Sequence, residues 1–182
     1  MGVRLVGISG SLRRHSYNAG LLRAAREAMP EGHELTIHTI AGVPLYNGDV
    51  EAAEGIPAAV AVLKDAVAEA DGLLLVTPEY NNGVPGVFKN AIDWMSRPAS
   101  DIPRVFGGKP VALIGASPGN FGTILSQNGW LPTLRTLGAE LWSGQKLMVP
   151  GAGQAFDGEG NLIDDAVRVR LGRFVAGFVA SL

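Results

Sequence analysis

Five times along this chain a short apolar run gives way to a segment of helical period, and that alternation constrains the fold more than any other feature. The runs Val3–Ser9, His33–Ile40, Leu73–Thr77, Val111–Gly115 and Glu140–Val149 predict strands. Helical periods follow them. Asn18–Met29 puts Leu21, Ala25 and Met29 on one face, and Pro30 ends it. Ile56–Ala70 faces inward through Ile56, Val60, Leu63 and Val67, and Pro85–Met95 through Phe88, Ala91, Ile92 and Met95. A fourth helix falls between Thr123 and Leu137, and Asp164–Leu182 buries Val167, Leu171, Phe174, Phe178 and Leu182. The stretches Gly42–Gly55 and Pro150–Asn161 read as long loops. A strand that is followed each time by a helix returns by a crossover, so the sheet is parallel and carries helices on both faces.

The 182 residues read as one domain, 1–182. For five strands the expected architecture is an α/β three-layer sandwich with a five-stranded parallel sheet of flavodoxin-like order 2-1-3-4-5. In that order the ligand crevice opens between strands 1 and 3, bordered by the loops Gly10–Asn18 and Pro78–Gly86. Those are also the two most unusual segments by composition.

The second loop joins the buried run Leu73–Val76 to an apolar-faced helix through Thr77-Pro78-Glu79-Tyr80-Asn81-Asn82-Gly83-Val84-Pro85-Gly86. It offers stiffened backbone for hydrogen bonds and one aromatic face, a combination suited to a flat ring rich in heteroatoms. The first loop, Gly10-Ser11-Leu12-Arg13-Arg14-His15-Ser16-Tyr17-Asn18, opens onto a helix N-terminus with unpaired N–H groups. Ser11, Ser16, Asn18 and the arginines would complete a phosphomonoester cradle. Equally, Ser16 or Asn18 is a helix cap and the arginines are solvated; both readings stand on these residues.

Other chemistries fit poorly. No Gly-Lys-Ser/Thr triplet occurs, which excludes the Walker A loop. Strand 2 ends in His38-Thr39-Ile40-Ala41-Gly42 without the carboxylate that holds a dinucleotide ribose. Gly115-Ala116-Ser117-Pro118-Gly119 matches the nucleophile elbow of serine hydrolases, yet His15, His33 and His38 all precede it. Pro118 also lacks the N–H that an oxyanion needs. The better reading is a third crevice loop, with Ser117 and Gly119 beside the ring; an ordinary Gly/Pro turn is the alternative. His33 and His38, five apart in a strand, point to opposite faces and form no metal site. Trp94, Trp130 and Trp142 read as core or interface aromatics and Lys89 as a surface residue.

Composition narrows the classes further. Cys is absent, which removes disulfides, thiolate catalysis and cysteine-ligated metal. A formal net charge of −2 gives no general case for nucleic acid or an anionic membrane. The apolar C-terminal segment is broken by Arg168, Arg170 and Arg173, and Met1-Gly2-Val3-Arg4-Leu5 runs into a strand without a signal-peptide pattern. The expectation is a cytoplasmic protein.

Gly10-Ser11-Leu12-Arg13 with Ser16-Tyr17-Asn18, then Thr77-Pro78-Glu79-Tyr80-Asn81, then Val84 to Trp94, resemble the NAD(P)H-dependent FMN reductase family, in its branch of bacterial quinone and chromate reductases. The resemblance spans nearly the whole chain, and the long second motif is highly specific. It implies FMN bound without a covalent link, NAD(P)H as co-substrate, and a homodimer or homotetramer. It also implies that Ser11, Arg13, Ser16, Tyr17 and Asn18 surround the FMN phosphate. Pro78, Glu79, Tyr80 and Asn81 would line the ring and ribityl, with Ser117 approaching from the strand 4 loop. One departure stands out. Relatives often continue that loop into a Gly-Gly-x-Arg helix start, whereas here it reads Gly122-Thr123-Ile124-Leu125-Ser126-Gln127.

The expected activity is hydride transfer from NAD(P)H through FMN to quinones or similar small-molecule acceptors, by a ping-pong mechanism. No protein acid or base is needed, because the cofactor carries the chemistry. The rivals are a flavodoxin-type electron carrier, against which the mild charge argues, and an FMN-binding regulator without turnover.

Overall fold

The computed structural model describes residues 2–182. Its elements run β1 (Arg4–Ser9), α1 (Tyr17–Glu27), β2 (Glu34–Thr39), α2 (Gly48–Glu54), α3 (Ala58–Glu69), β3 (Gly72–Val76) and α4 (Gly86–Met95). A 3₁₀ turn (Ala99–Asp101) leads into α5 (Ile102–Val105), β4 (Pro110–Ala116), α6 (Ile124–Leu137), β5 (Glu140–Leu141), β6 (Leu147–Val149), α7 (Ala152–Ala155) and α8 (Asp165–Val179).

The sheet order is β2-β1-β3-β4-β5, every pair parallel, with β6 also pairing β4. This is the expected flavodoxin-like order. Apolar residues alternate between its faces. On one face Leu21 and Leu22 of α1 and Leu171, Phe174 and Phe178 of α8 pack against Leu5, Leu74 and Ile114. On the other, Val60 and Leu63 of α3, Phe88 and Ile92 of α4, and Trp130 and Leu134 of α6 cover Val6, Ile8, Leu75 and Val111. Full burial of each such side chain stabilises by roughly 1.5–3 kcal/mol, so the two clusters hold the crevice loops between rigid layers.

The structure corrects three expectations, one being that Pro150–Asn161 is loop throughout, since it contains α7. Gly42–Gly55 is not all loop, because Asn47 caps α2 by accepting from the Asp49 N–H (2.9 Å). Helix α2 buries no residue, so no apolar period announces it. It is held by charge instead: Glu51 accepts from Arg97 Nε (2.9 Å) and from the Tyr46 hydroxyl (2.9 Å). The Arg97 guanidinium in turn holds the Glu51 carboxyl below its ordinary range. The fifth strand is also broken. Val111 pairs Leu141 and Ile114 pairs Leu147, so Ser143–Lys146 loops out of the ladder. The Trp142 ring turns away to pack edge-on against Phe174 (5.0 Å between centroids). No helix among the described residues is long and apolar enough to cross a membrane.

Candidate functional site

Strands β1 and β3 are neighbours, but their helices leave toward opposite faces, so the loops after them part and open a crevice at the carboxyl edge. Gly10 lies at this parting. Its N–H donates to Val76 O (2.9 Å), and a Cβ there would meet the Phe88 ring at 2.0 Å.

The first loop is ordered by its own side chains. Ser16 caps α1, accepting from the Ala19 N–H (3.2 Å), and Ser11 Oγ accepts from the Arg13 N–H (3.3 Å). Asn18 is buried, and both ends of its amide bind β4: Nδ2 donates to Ala116 O and Oδ1 accepts from Ala116 N, each at 2.9 Å. The Arg13 guanidinium lies 5.7 Å from the Tyr17 ring centroid, and Tyr17 stacks at a tilt on Phe156 (5.3 Å). The N–H groups of Ser11, Leu12, Arg14, His15 and Ser16 donate to no group among the described residues.

A strap holds this segment, where a plain loop was expected. Residues 156–162 close on themselves through the Phe156–Leu162 bridge and lie against the start of α1. Arg23 Nη2 donates to Gly160 O (3.2 Å) and Asn161 Oδ1 (2.9 Å), and His15 Nδ1 lies 3.2 Å from Glu159 Oε2. The approach is so close that a Cβ at Gly20 would sit 1.7 Å from Gly160 O. A glycine inside an otherwise regular helix is the one signal of it in the sequence.

The second loop is a tight hairpin. Tyr80 and Gly83 exchange backbone hydrogen bonds (3.1 and 3.0 Å), and Asn81 and Asn82 both have positive φ (49° and 61°). That is the two-residue turn which Asn tolerates best among residues with a side chain. Pro78 is buried, whereas the Tyr80 ring is half-exposed. The Glu79 side chain is committed to α6. Its Oε2 accepts from the N–H of Leu125 (2.9 Å) and Ser126 (3.0 Å) at the start of α6. Thr123, the residue at the cap position, makes no cap of its own. Beneath, the buried Thr77 hydroxyl donates to Pro78 O (2.9 Å), accepts from Trp130 Nε1 (3.0 Å) and lies 2.8 Å from Ser126 Oγ. This places Trp130 in the core under the loop. The N–H groups of Glu79, Asn81 and Asn82 are left without acceptors among the described residues.

The third loop begins at buried Ser117, whose hydroxyl donates to Gly122 O and whose N–H donates to Val149 O (3.0 Å). A serine committed to a carbonyl, with no imidazole bonded to it, is not an activated nucleophile. Gly119 is exposed and accepts from the Gly151 N–H (3.2 Å), and Phe121 projects with 75% of its surface exposed. No group of acidic or histidine side chains among the described residues could hold a metal ion.

Crevice, loops and open donors together define a flavodoxin-like nucleotide-binding protein. The family described as NADPH-dependent FMN reductase matches residues 3–154, and the chain belongs to that family. It is 44% identical over 166 residues to an NAD(P)H-dependent FMN reductase of Pseudomonas aeruginosa, covering 91% of this chain and 88% of that one. A 2-hydroxy-1,4-benzoquinone reductase of a Burkholderia species is 36% identical over 180 residues, covering 99% and 96%. Among solved structures, the flavoenzyme NAD(P)H:(acceptor) oxidoreductase FerB of Paracoccus denitrificans superposes with a TM-score of 0.84 at 33% identity, covering 98% and 96%. The protein is therefore an NAD(P)H-dependent flavin oxidoreductase with FMN as cofactor. Its crevice fits that group. One side carries a capped helix start with free N–H groups and an arginine, as a phosphate requires. The other carries a rigid turn with free N–H groups and an aromatic, as a flavin ring requires.

Proposed function

We propose that this protein passes reducing equivalents from NAD(P)H to quinones and related acceptors at one shared face of the crevice. The observation that carries the reading is the pair of loops either side of the β1–β3 parting, both rigid and both with unpaired N–H groups. When bound, FMN supplies hydride uptake and electron donation. Everything else falls to the chain.

Ser11, Arg13, Ser16 and Tyr17 would hold the phosphate end, Arg13 by charge and Ser16 by fixing the helix start. Asn18 would act mainly by tying this loop to Ala116 and so to the Ser117 loop. The backbone of Pro78, Glu79, Tyr80 and Asn81 would line the ring, with Ser117 and Gly119 closing the other side. Glu79 contributes through position, since its carboxylate is spent on α6. Donor and acceptor would take turns over the same face, which gives ping-pong kinetics. Free FMN, quinones and chromate would all serve as acceptors, because such a face demands only stacking and electron affinity.

The same reading takes residues 1–182 as one FMN-binding domain in a cytoplasmic homodimer or homotetramer. An NAD(P)H requirement supports that compartment. Apolar exposure supports the assembly: Ile124, Leu131 and Leu141 rim a hollow of about 330 Å³ floored by Leu113, Trp142 and Met148. The deciding experiment is to purify the protein, identify the bound flavin after denaturation, and follow NAD(P)H oxidation with and without a benzoquinone. Bound FMN and quinone-dependent turnover are expected. A flavin-loaded protein without turnover would leave only the carrier or regulator.

A further inference from the structure

Behind the phosphate loop, on the α1 side of the sheet, a groove of about 380 Å³ runs between α1 and β2. Ser9 and Ser11 line it from β1 and its loop, Arg23 and Arg26 from α1, and Ile37 and Thr39 from β2. No Asp or Glu among the described residues borders it. Ser11 belongs to both the groove and the loop that faces the crevice, so the two hollows lie on either side of that loop.

Two observations mark it as a site. Ser9 Oγ is the one buried side-chain oxygen or nitrogen among the described residues that has no hydrogen-bond partner, and the residue is only 8% exposed. Its direction follows from the pleat. A Cβ on Gly7 would meet Leu22 at 2.5 Å, so the residue two further on also faces α1 and the groove. Second, the Arg26 guanidinium takes part in no ion pair among the described residues, one turn of helix from Arg23. Arg23 is steadied from behind by Gly160 O and Asn161 Oδ1.

We propose that this groove binds a phosphomonoester, with Arg26 and Arg23 on its oxygens and Ser9 donating from the floor. Guanidinium groups and hydroxyls without a competing carboxylate select an oxyanion. The volume exceeds that of an inorganic anion, and Leu22 and Ile37 give an apolar wall for an organic part. Two sources carry this chemistry: the 2′-phosphorylated adenosine end of NADPH, reaching round the phosphate loop, or a separate nucleotide. The first source rests on the proposed NAD(P)H turnover; the groove itself does not.

The test uses FMN-loaded protein, so that the cofactor's own phosphate seat is filled. Thermal shift and calorimetric titration with 2′-AMP, inorganic phosphate and adenosine should show stabilisation by 2′-AMP, weaker stabilisation by phosphate and none by adenosine. Arg26→Glu should lower 2′-AMP affinity at least tenfold, the scale of one charge-assisted contact, with FMN content unchanged. Ser9→Ala should weaken it less. Absence of any phosphate-dependent stabilisation in the parent, or its persistence in both variants, overturns the site. Kinetics then separate the sources. A tenfold or larger fall in kcat/KM for NADPH in Arg26→Glu, with NADH unaffected, assigns the NADPH end. Lost 2′-AMP binding with both values unchanged assigns a separate nucleotide. Binding without any NAD(P)H oxidation would refute the proposed activity and leave the groove standing.

Discussion

Asn18 and Ala116 exchange two hydrogen bonds across the crevice floor, a side-chain amide pairing with a peptide group as one strand pairs with another. Through this pair the first turn of α1 and the end of β4 move as one body. Asn18→Ala would leave the Ala116 N–H and C=O buried and unpaired, at a cost of about 1–3 kcal/mol each. The variant should unfold at lower urea even without flavin, and should lose riboflavin and FMN affinity alike. A loss confined to FMN would assign Asn18 to the phosphate instead.

Arg13 has no carboxylate partner among the described residues and lies over the Tyr17 ring. A charge-assisted phosphate contact contributes roughly 1.5–3 kcal/mol, or about tenfold to a hundredfold in affinity. Arg13→Ala is expected to weaken FMN by that factor and to leave riboflavin unchanged. Fluorescence titration of the apoprotein with both ligands decides the matter.

Glu79 supplies the cap that α6 lacks from its own chain segment. Loss of a helix cap costs about 0.5–2 kcal/mol, and here it also frees the turn that faces the ring. Glu79→Ala should therefore lower thermal stability, shift the visible flavin bands and slow turnover. Its phosphate grip should persist, so FMN and riboflavin affinities should fall by the same factor. Unequal losses would contradict this role.

One crevice serves donor and acceptor in the proposed mechanism. Varying a quinone at several NADH concentrations should give parallel double-reciprocal lines. Intersecting lines would require both substrates to be bound together, and hence an acceptor pocket elsewhere.

Asp101 accepts from Arg104 and pairs with buried Lys64 at 2.7 Å; these bonds, Arg104's first, hold its carboxyl far below the ordinary 3.8. A depressed folded-state value stabilises the fold above the unfolded-state value, and that contribution is lost as pH falls through the folded one. Acid titration of the parent should show stability falling below about pH 3.8. Asp101→Asn should be less stable at neutral pH and lose less over that acid range. Parallel acid profiles for the two proteins would rule the linkage out.

How much of this is legible from residues alone depends on which force acts locally. Burial leaves a period, so the strands, the five long core-facing helices and the β1–β3 crevice can all be read. The turn at Asn81-Asn82 is within reach, because two left-handed positions favour such residues. Other features leave no period. Helix α2 is fixed by Asn47 and by Glu51 reaching Arg97 across 46 positions of sequence. Glu79 reads as a ring-lining residue until the start of α6 is seen beside it. The strap over α1 depends on a glycine carbonyl meeting a glycine, which side-chain patterns do not record. The break after Leu141 follows from the Trp142 ring choosing α8 over the ladder.

That break bears on how copies of the molecule would meet in the proposed assembly. A long, flat outer strand is a template on which another chain can add itself. Here the far side of the sheet ends in pieces of two and three residues, offset by the excursion at Ser143–Lys146. No sheet can run on from one copy into the next across such a margin. In the proposed assembly, association there would use side chains such as Ile124, Leu131 and Leu141. Side-chain contacts can be selective about their partner, and unlike an exposed ladder they do not invite a fibre.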